Sequence, residues 1–125
     1  MKKTEFILPL EVNSKLSLNS IYSGLHWTIR RKQSQKIHKM VRLSLQFQNI
    51  QKQPFENPVN IVFKWHSRLD LDNHGYIAKL IIDGLKGYLL FDDTQKYINS
   101  ITHEYWQEKG IKIEIQEAKN GSQRN

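Results

Sequence analysis

The sequence predicts an α+β domain, a mixed four-stranded sheet packed with two helices in the order β-α-β-α-β-β. Three observations predict it. Apolar residues alternate at period two in residues 59–66 and again in 111–116. They recur at helical spacing through residues 73–88. The chain has 125 residues, the size of one domain, and such a length buries roughly two-thirds of its unfolded surface.

The elements follow in order. Phe6, Leu8 and Leu10 alternate with Ile7 and Pro9, which predicts a short first strand ended by proline. Residues 13–29 carry no regular pattern. Arg30-Arg-Lys32 leads into a helix predicted to about Gln48, with Ile37, Met40, Val41 and Leu45 as its apolar face. Lys36, Lys39 and Arg42 lie largely on the other side. Residues 49–58 form a loop with Pro54 and Pro58.

Val59, Ile61, Phe63 and Trp65 alternate with Asn60, Lys64 and His66 as the second strand. In the helix from Asn73 to about Tyr88, Ile77, Leu80, Ile81, Gly84, Leu85 and Tyr88 share one face. Asp72 or Asn73 is its natural N-cap. Residues 96–107 read as a strand, Lys109-Gly110 as a turn, and Ile111, Ile113 and Ile115 as the inward positions of the last strand. The domain is expected to span 1–118. The polar tail 119–125 holds no large apolar residue and is expected to be disordered.

Composition narrows the chemistry. Cysteine is absent, which excludes disulfides, thiolate metal sites and cysteine nucleophiles. No apolar run approaches the roughly 20 residues of a membrane span. The N-terminus starts like a signal peptide, but Glu5 and Pro9 interrupt the apolar stretch, so a first strand and a cytoplasmic protein are expected. The net charge is +7 and is unevenly placed. Residues 1–56 carry ten Lys or Arg against three acids, while residues 57–125 carry nine of each. A basic surface attracts a polyanion by counterion release. Acids beside such a surface repel phosphate unless a cation intervenes.

Those acids are patterned. Asp70 and Asp72 sit where the second strand hands over to the helix, and in an extended segment residues two apart point the same way. Paired carboxylates repel unless one is protonated or a cation lies between them. Magnesium takes such hard oxygen ligands, usually one or two carboxylates with water and substrate phosphate. On the helix, Asp72, Tyr76, Lys79 and Asp83 fall within about 60° of each other. Phe91-Asp-Asp-Thr94 adds two acids after it. Plainer readings stand beside this one: Asp72 as a helix cap, Lys79 and Asp83 as an exposed i,i+4 pair, and Asp92-Asp93 as a solvated turn. His66 could approach the metal, His26 and Trp27 could stack on opened DNA, and Trp65 and Trp106 read as core or dimer interface.

Arg68-Leu-Asp-Leu-Asp-Asn73, Lys79, Asp83-Gly-Leu85 and Phe91-Asp-Asp93 together resemble the RusA family of Holliday junction resolvases. That family has an R-x-D-L-D-N stretch, a helix with a lysine and D-x-L, and a D-D pair before a strand. Leu8-Pro-Leu10 and Ser17-Leu-Asn-Ser-Ile-Tyr22 are similar to its first strand and S-x-N-x-x-Y segment, so the likeness runs over residues 4–117. The resemblance implies a RusA-like fold and a homodimer that binds four-way DNA junctions and makes paired nicks with Mg²⁺, or Mn²⁺ in its place, in DNA recombination and repair. It implies Asp70, Asp72 and Asp93 as metal-binding catalytic acids and Lys79 as the catalytic lysine. Such proteins are often encoded by phages and prophages. The chain departs from the family's type enzyme by three extra residues, His74-Gly-Tyr76. They amount to nearly one helical turn, which keeps Lys79 near its face, with a local widening at Gly75. Arg30, Arg31, Lys32, Lys36, Lys39, Arg42 and Arg68 are the expected DNA-binding residues. A DNA-binding module without catalysis, and a nuclease for other branched DNA, are the alternatives.

Overall fold

The computed structural model describes residues 2–12 and 27–118. Strand β1 covers Lys3–Leu8, helix α1 Trp27–Phe47 and strand β2 Val59–Trp65. A 3₁₀ turn over Leu71–His74 leads into helix α2, Gly75–Leu85, followed by β3, Ile98–Tyr105, and β4, Ile111–Glu117. The predicted order therefore stands, as does the mixed sheet with two helices. Ser17 to Tyr22, His26 and the tail 119–125 lie outside the described residues.

The sheet runs β1-β4-β2-β3. β4 pairs antiparallel with both β1 and β2, and β3 runs parallel to β2. The turn at Gly110 exists, with φ +85, but it joins no hairpin. β3 and β4 flank β2 on opposite sides, because α2 carries the chain across the sheet and so makes β3 parallel. A side chain at Gly110 would meet the Leu8 carbonyl oxygen at 3.0 Å, so both its φ and its crowding select glycine.

Alternation decides the two faces. Val59, Ile61, Phe63 and Trp65 join Ile111, Ile113, Ile115, Phe6 and Leu8 in the core under the helices. The other face is polar: Lys64 and Lys112 stand 3.2 Å and 3.5 Å from Glu114. Helix α1 turns in Ile37, Val41 and Leu45, and Met40 packs against the same core. It starts at Trp27, three residues before the predicted start, and ends on a left-handed Asn49 with φ 62. There the Asn49 N–H reaches the Gln46 carbonyl at 3.1 Å and the Ile50 N–H reaches Leu45 at 2.9 Å. These are the paired bonds of a Schellman cap. The helices touch closely at Gly84, where an added Cβ would lie 3.1 Å from Val41 Cβ.

Candidate active site

Residues 66–75 carry the acids, and buried anchors hold the segment. His74 is fully buried and its ring stacks on Trp65 with centroids 4.4 Å apart. Its Nδ1 lies 3.1 Å from the Leu71 carbonyl oxygen, so Nδ1 carries the proton and donates. Nε2 is then bare and accepts from the Ser67 hydroxyl at 2.7 Å. Ser67 Oγ in turn accepts the Leu69 N–H at 3.1 Å, and the Tyr105 hydroxyl donates to the Leu69 carbonyl at 2.6 Å. Burial lowers the His74 pKa, against bonds to Leu71 and Asp70 and the charge of Asp72. The result is a neutral imidazole bolting the acidic segment to the end of β2.

The segment is not extended throughout. Asp70 is extended, with φ −63 and ψ 151, but Asp72 lies inside the 3₁₀ turn. Strand alternation therefore does not align the two carboxylates. Neither Asp72 nor Asn73 caps the helix: Asp70 precedes the 3₁₀ turn, His74 precedes α2, and neither makes a side-chain cap bond. The change from 3₁₀ to α geometry falls at the His74–Gly75 junction, within the three extra residues. Asp70 and Asp72 are both exposed, and neither forms an ion pair with a described residue.

Asp93 is different. Lys86 Nζ sits 3.2 Å from Asp93 Oδ2 and 3.2 Å from Asp83 Oδ1. The Lys86 hydrogen bond holds the Asp93 carboxyl below the usual aspartate range, and the same bond raises Lys86. The sequence carries no signal for this lysine, because the contact joins the end of α2 to a loop. Lys79 is largely exposed, and its Nζ lies 3.9 Å from Asp83 Oδ2. Among the described residues no three His, Cys, Asp or Glu side chains lie close enough to share an ion. The donors suit magnesium in kind, being carboxylate oxygens. In this arrangement they do not form the three-acid set that the resemblance implies, and Asp93 is paired with an ammonium instead.

A cleft of about 320 Å³ does join part of the set. Lys79 from α2, Asp93 from the loop and His103 from β3 line it, with Gly75, Ala78, Ile82, Ile98 and Ile101. His103 is the residue that sequence reasoning missed. It takes its place by the parallel pairing of β3 with β2, which no local pattern reports.

The basic residues divide. Arg30, Arg31, Lys32, Lys36 and Lys39 are exposed along α1, and Arg68 is exposed beside Asp70. Arg42 is half-buried instead. Its Nε donates to the Gly84 carbonyl at 2.8 Å, its Nη2 donates to the Lys86 carbonyl, and the guanidinium lies 5.4 Å from the Tyr88 ring centroid. It binds the carbonyl end of α2, where a cation suits the helix dipole. Tyr76 brings α1 to the start of α2, its hydroxyl donating to Gln33 Oε1 at 2.9 Å. Burial raises the Tyr76 pKa and the Arg30 charge opposes that rise. Trp65 is core; Trp106 is half-buried and donates to the Gly110 carbonyl at 3.0 Å. His66 is exposed and Trp27 is exposed.

A family model described as endodeoxyribonuclease RusA matches residues 19–116. A search of curated proteins found no match. No helix among the described residues is long and apolar enough to cross a membrane.

Proposed function

We infer the reaction from kinship: the chain belongs to the RusA endodeoxyribonuclease family, matched over most of its length. The chain is thus a nuclease by family, and we propose that it is a structure-specific one. It cuts four-way DNA junctions by paired phosphodiester hydrolysis in recombination and repair, as a homodimer in the cytoplasm, with Mg²⁺ or Mn²⁺ as cofactor. A phage or prophage origin suits such an enzyme.

One observation supports this beyond the family: the basic stretch of α1 is exposed and is tied to the helix that carries Lys79 through the Tyr76–Gln33 hydrogen bond. Arg30, Arg31, Lys32, Lys36 and Lys39 bind backbone phosphates, which position the duplex without reading sequence. Arg68 adds a cation next to Asp70. Arg42 contributes to this surface less than the others, since it is half-buried and two of its donors are engaged at the carbonyl end of α2. Asp70, Asp72 and Asp93 are the acids that would hold the metal; Asp70 and Asp72 have no ion-pair partner among the described residues, whereas Asp93 is paired with Lys86. Lys79 offsets charge that develops on the phosphate. Residues 1–118 form the catalytic domain.

A second reading has an observation in its favour. The closed Lys86–Asp93 pair also suits a DNA-binding member without catalysis. One experiment separates the readings: incubation of the protein with labelled four-way junction, flap and plain duplex, with and without Mg²⁺. Symmetric metal-dependent nicks in the junction are expected. Junction binding without cleavage supports the binding module, and preferential flap cutting supports a different branched substrate.

A further inference from the structure

We propose that His103 contacts the scissile phosphate, donating a hydrogen bond from its Nε2–H to a phosphate oxygen in the cleft it shares with Lys79 and Asp93. The inference deepens the nuclease reading and rests on it.

Three features support this role. First, the ring orientation is set. The Trp65 indole Nε1–H donates to His103 Nδ1 at 3.0 Å, and an indole nitrogen can only donate. Nδ1 is therefore bare, and the ring proton sits on Nε2. His103 also stacks on Phe63 and Trp65 with centroids 5.6 Å and 5.8 Å away, which resists a ring flip. Second, protonating Nδ1 would break the indole bond, so the ring stays neutral. Burial lowers its pKa in the same sense. His74, which also stacks on Trp65, has the opposite tautomer, fixed by a backbone carbonyl. Trp65 thus touches both an anchoring imidazole and one with a spare donor.

Third, the spare donor has a place to act. His103 is half-buried, and the cleft it lines has volume for a phosphate group with its flanking sugar atoms. Lys79 supplies a mobile cation there and Asp93 a carboxylate. A neutral N–H donor stabilises developing charge on a phosphate oxygen without adding a proton to it. No atom changes ownership in this step, so no further reactant is needed.

The test uses paired substitutions in the full chain. His103→Asn keeps an acceptor near the Nδ1 position for Trp65 and removes the distal donor. His103→Gln places an amide N–H near the Nε2 position. Single-turnover junction cleavage by H103N is expected to fall about 100-fold with junction affinity within about twofold of wild type, and H103Q to regain much of the loss. Wild-type cleavage by H103N would overturn the proposal, as would equal loss in both variants. A readout without activity covers misfolded variants. Nitrogen-15 NMR of the otherwise unaltered ring should show Nε2 protonated at neutral pH. In the Asp70→Asn protein, added junction should shift the His103 Nε2 signal while leaving His74 in place. A proton on Nδ1, or no shift, defeats the inference. If wild type cuts no branched DNA but the tautomer and shift are found, the nuclease reading fails and the phosphate contact stands.

Discussion

The ammonium of Lys86 lies 3.2 Å from Asp93 and 3.2 Å from Asp83, so a carboxylate that the family resemblance implies as a metal ligand is paired with a protein cation. Lys86→Met should therefore free Asp93 and lower the Mg²⁺ concentration that half-maximal cleavage requires. A metal titration of cleavage reads this directly. An unchanged requirement would show that Asp93 is not a ligand.

The same pair predicts an acid dependence. The folded pKa of Asp93 is depressed below its ordinary 3.8, so its stabilisation is present above that value. It is lost as pH falls through the folded value. Thermal melts should place wild type above K86M near neutrality, with the gap closing in the acid range below 3.8. A gap that persists in strong acid would assign the effect to the lysine stem instead.

His74 and His103 predict a second pH dependence with the same sign. Both folded pKa values are lowered from 6.5, so the unfolded chain binds more protons just below that value. Stability should decline as pH drops through 6.5 towards the folded values. Urea unfolding across that range measures it, and H103N should flatten the decline. A flat profile in wild type would mean that neither ring is held neutral.

Asp70→Asn should abolish metal-dependent cleavage while junction binding survives or improves, because one repulsive charge is removed from the phosphate path. Gel-shift and cleavage assays on the same samples decide it. Retained Mg²⁺-dependent cutting would refute the acidic site.

Arg30→Ala with Arg31→Ala should weaken junction binding and flatten its salt dependence by about 0.9 in the log–log slope for each phosphate that is no longer neutralised. Arg42→Ala should act otherwise. It should lower stability through the freed Gly84 and Lys86 carbonyls and change the slope little. Binding isotherms at several salt concentrations separate the two effects.

Gly84→Ala should destabilise the fold by about 1–3 kcal/mol through overpacking. The added methyl would sit 3.1 Å from Val41 Cβ where the two helices cross. Val41→Ala in the same chain should recover part of the loss, as urea denaturation would show. Additive losses would mean that the contact is not the cause.

Periods of 2 and 3.6, written along the chain, are enough to set the elements, their order and their buried faces. The core positions Ile77, Leu80, Ile81, Gly84 and Leu85 are all buried as the helical period requires, while Tyr88, predicted to end the same helix, is buried in the turn beyond its end at Leu85. Motif order marked Asp70, Asp72, Lys79 and Asp93, and residues 19–116 match the family they suggest. Which charges meet is a matter of the folded chain. Lys86 reaches Asp93, Arg42 turns inward onto α2, and His103 lies against Trp65, across a parallel pairing of strands far apart in sequence. The 3₁₀ turn at Asp72 belongs with these, since the stacking of His74 on Trp65 accompanies a helical start where alternation predicted an extended one. Periodicity reports which side of an element is apolar, and charge partners depend on where a distant element comes to rest.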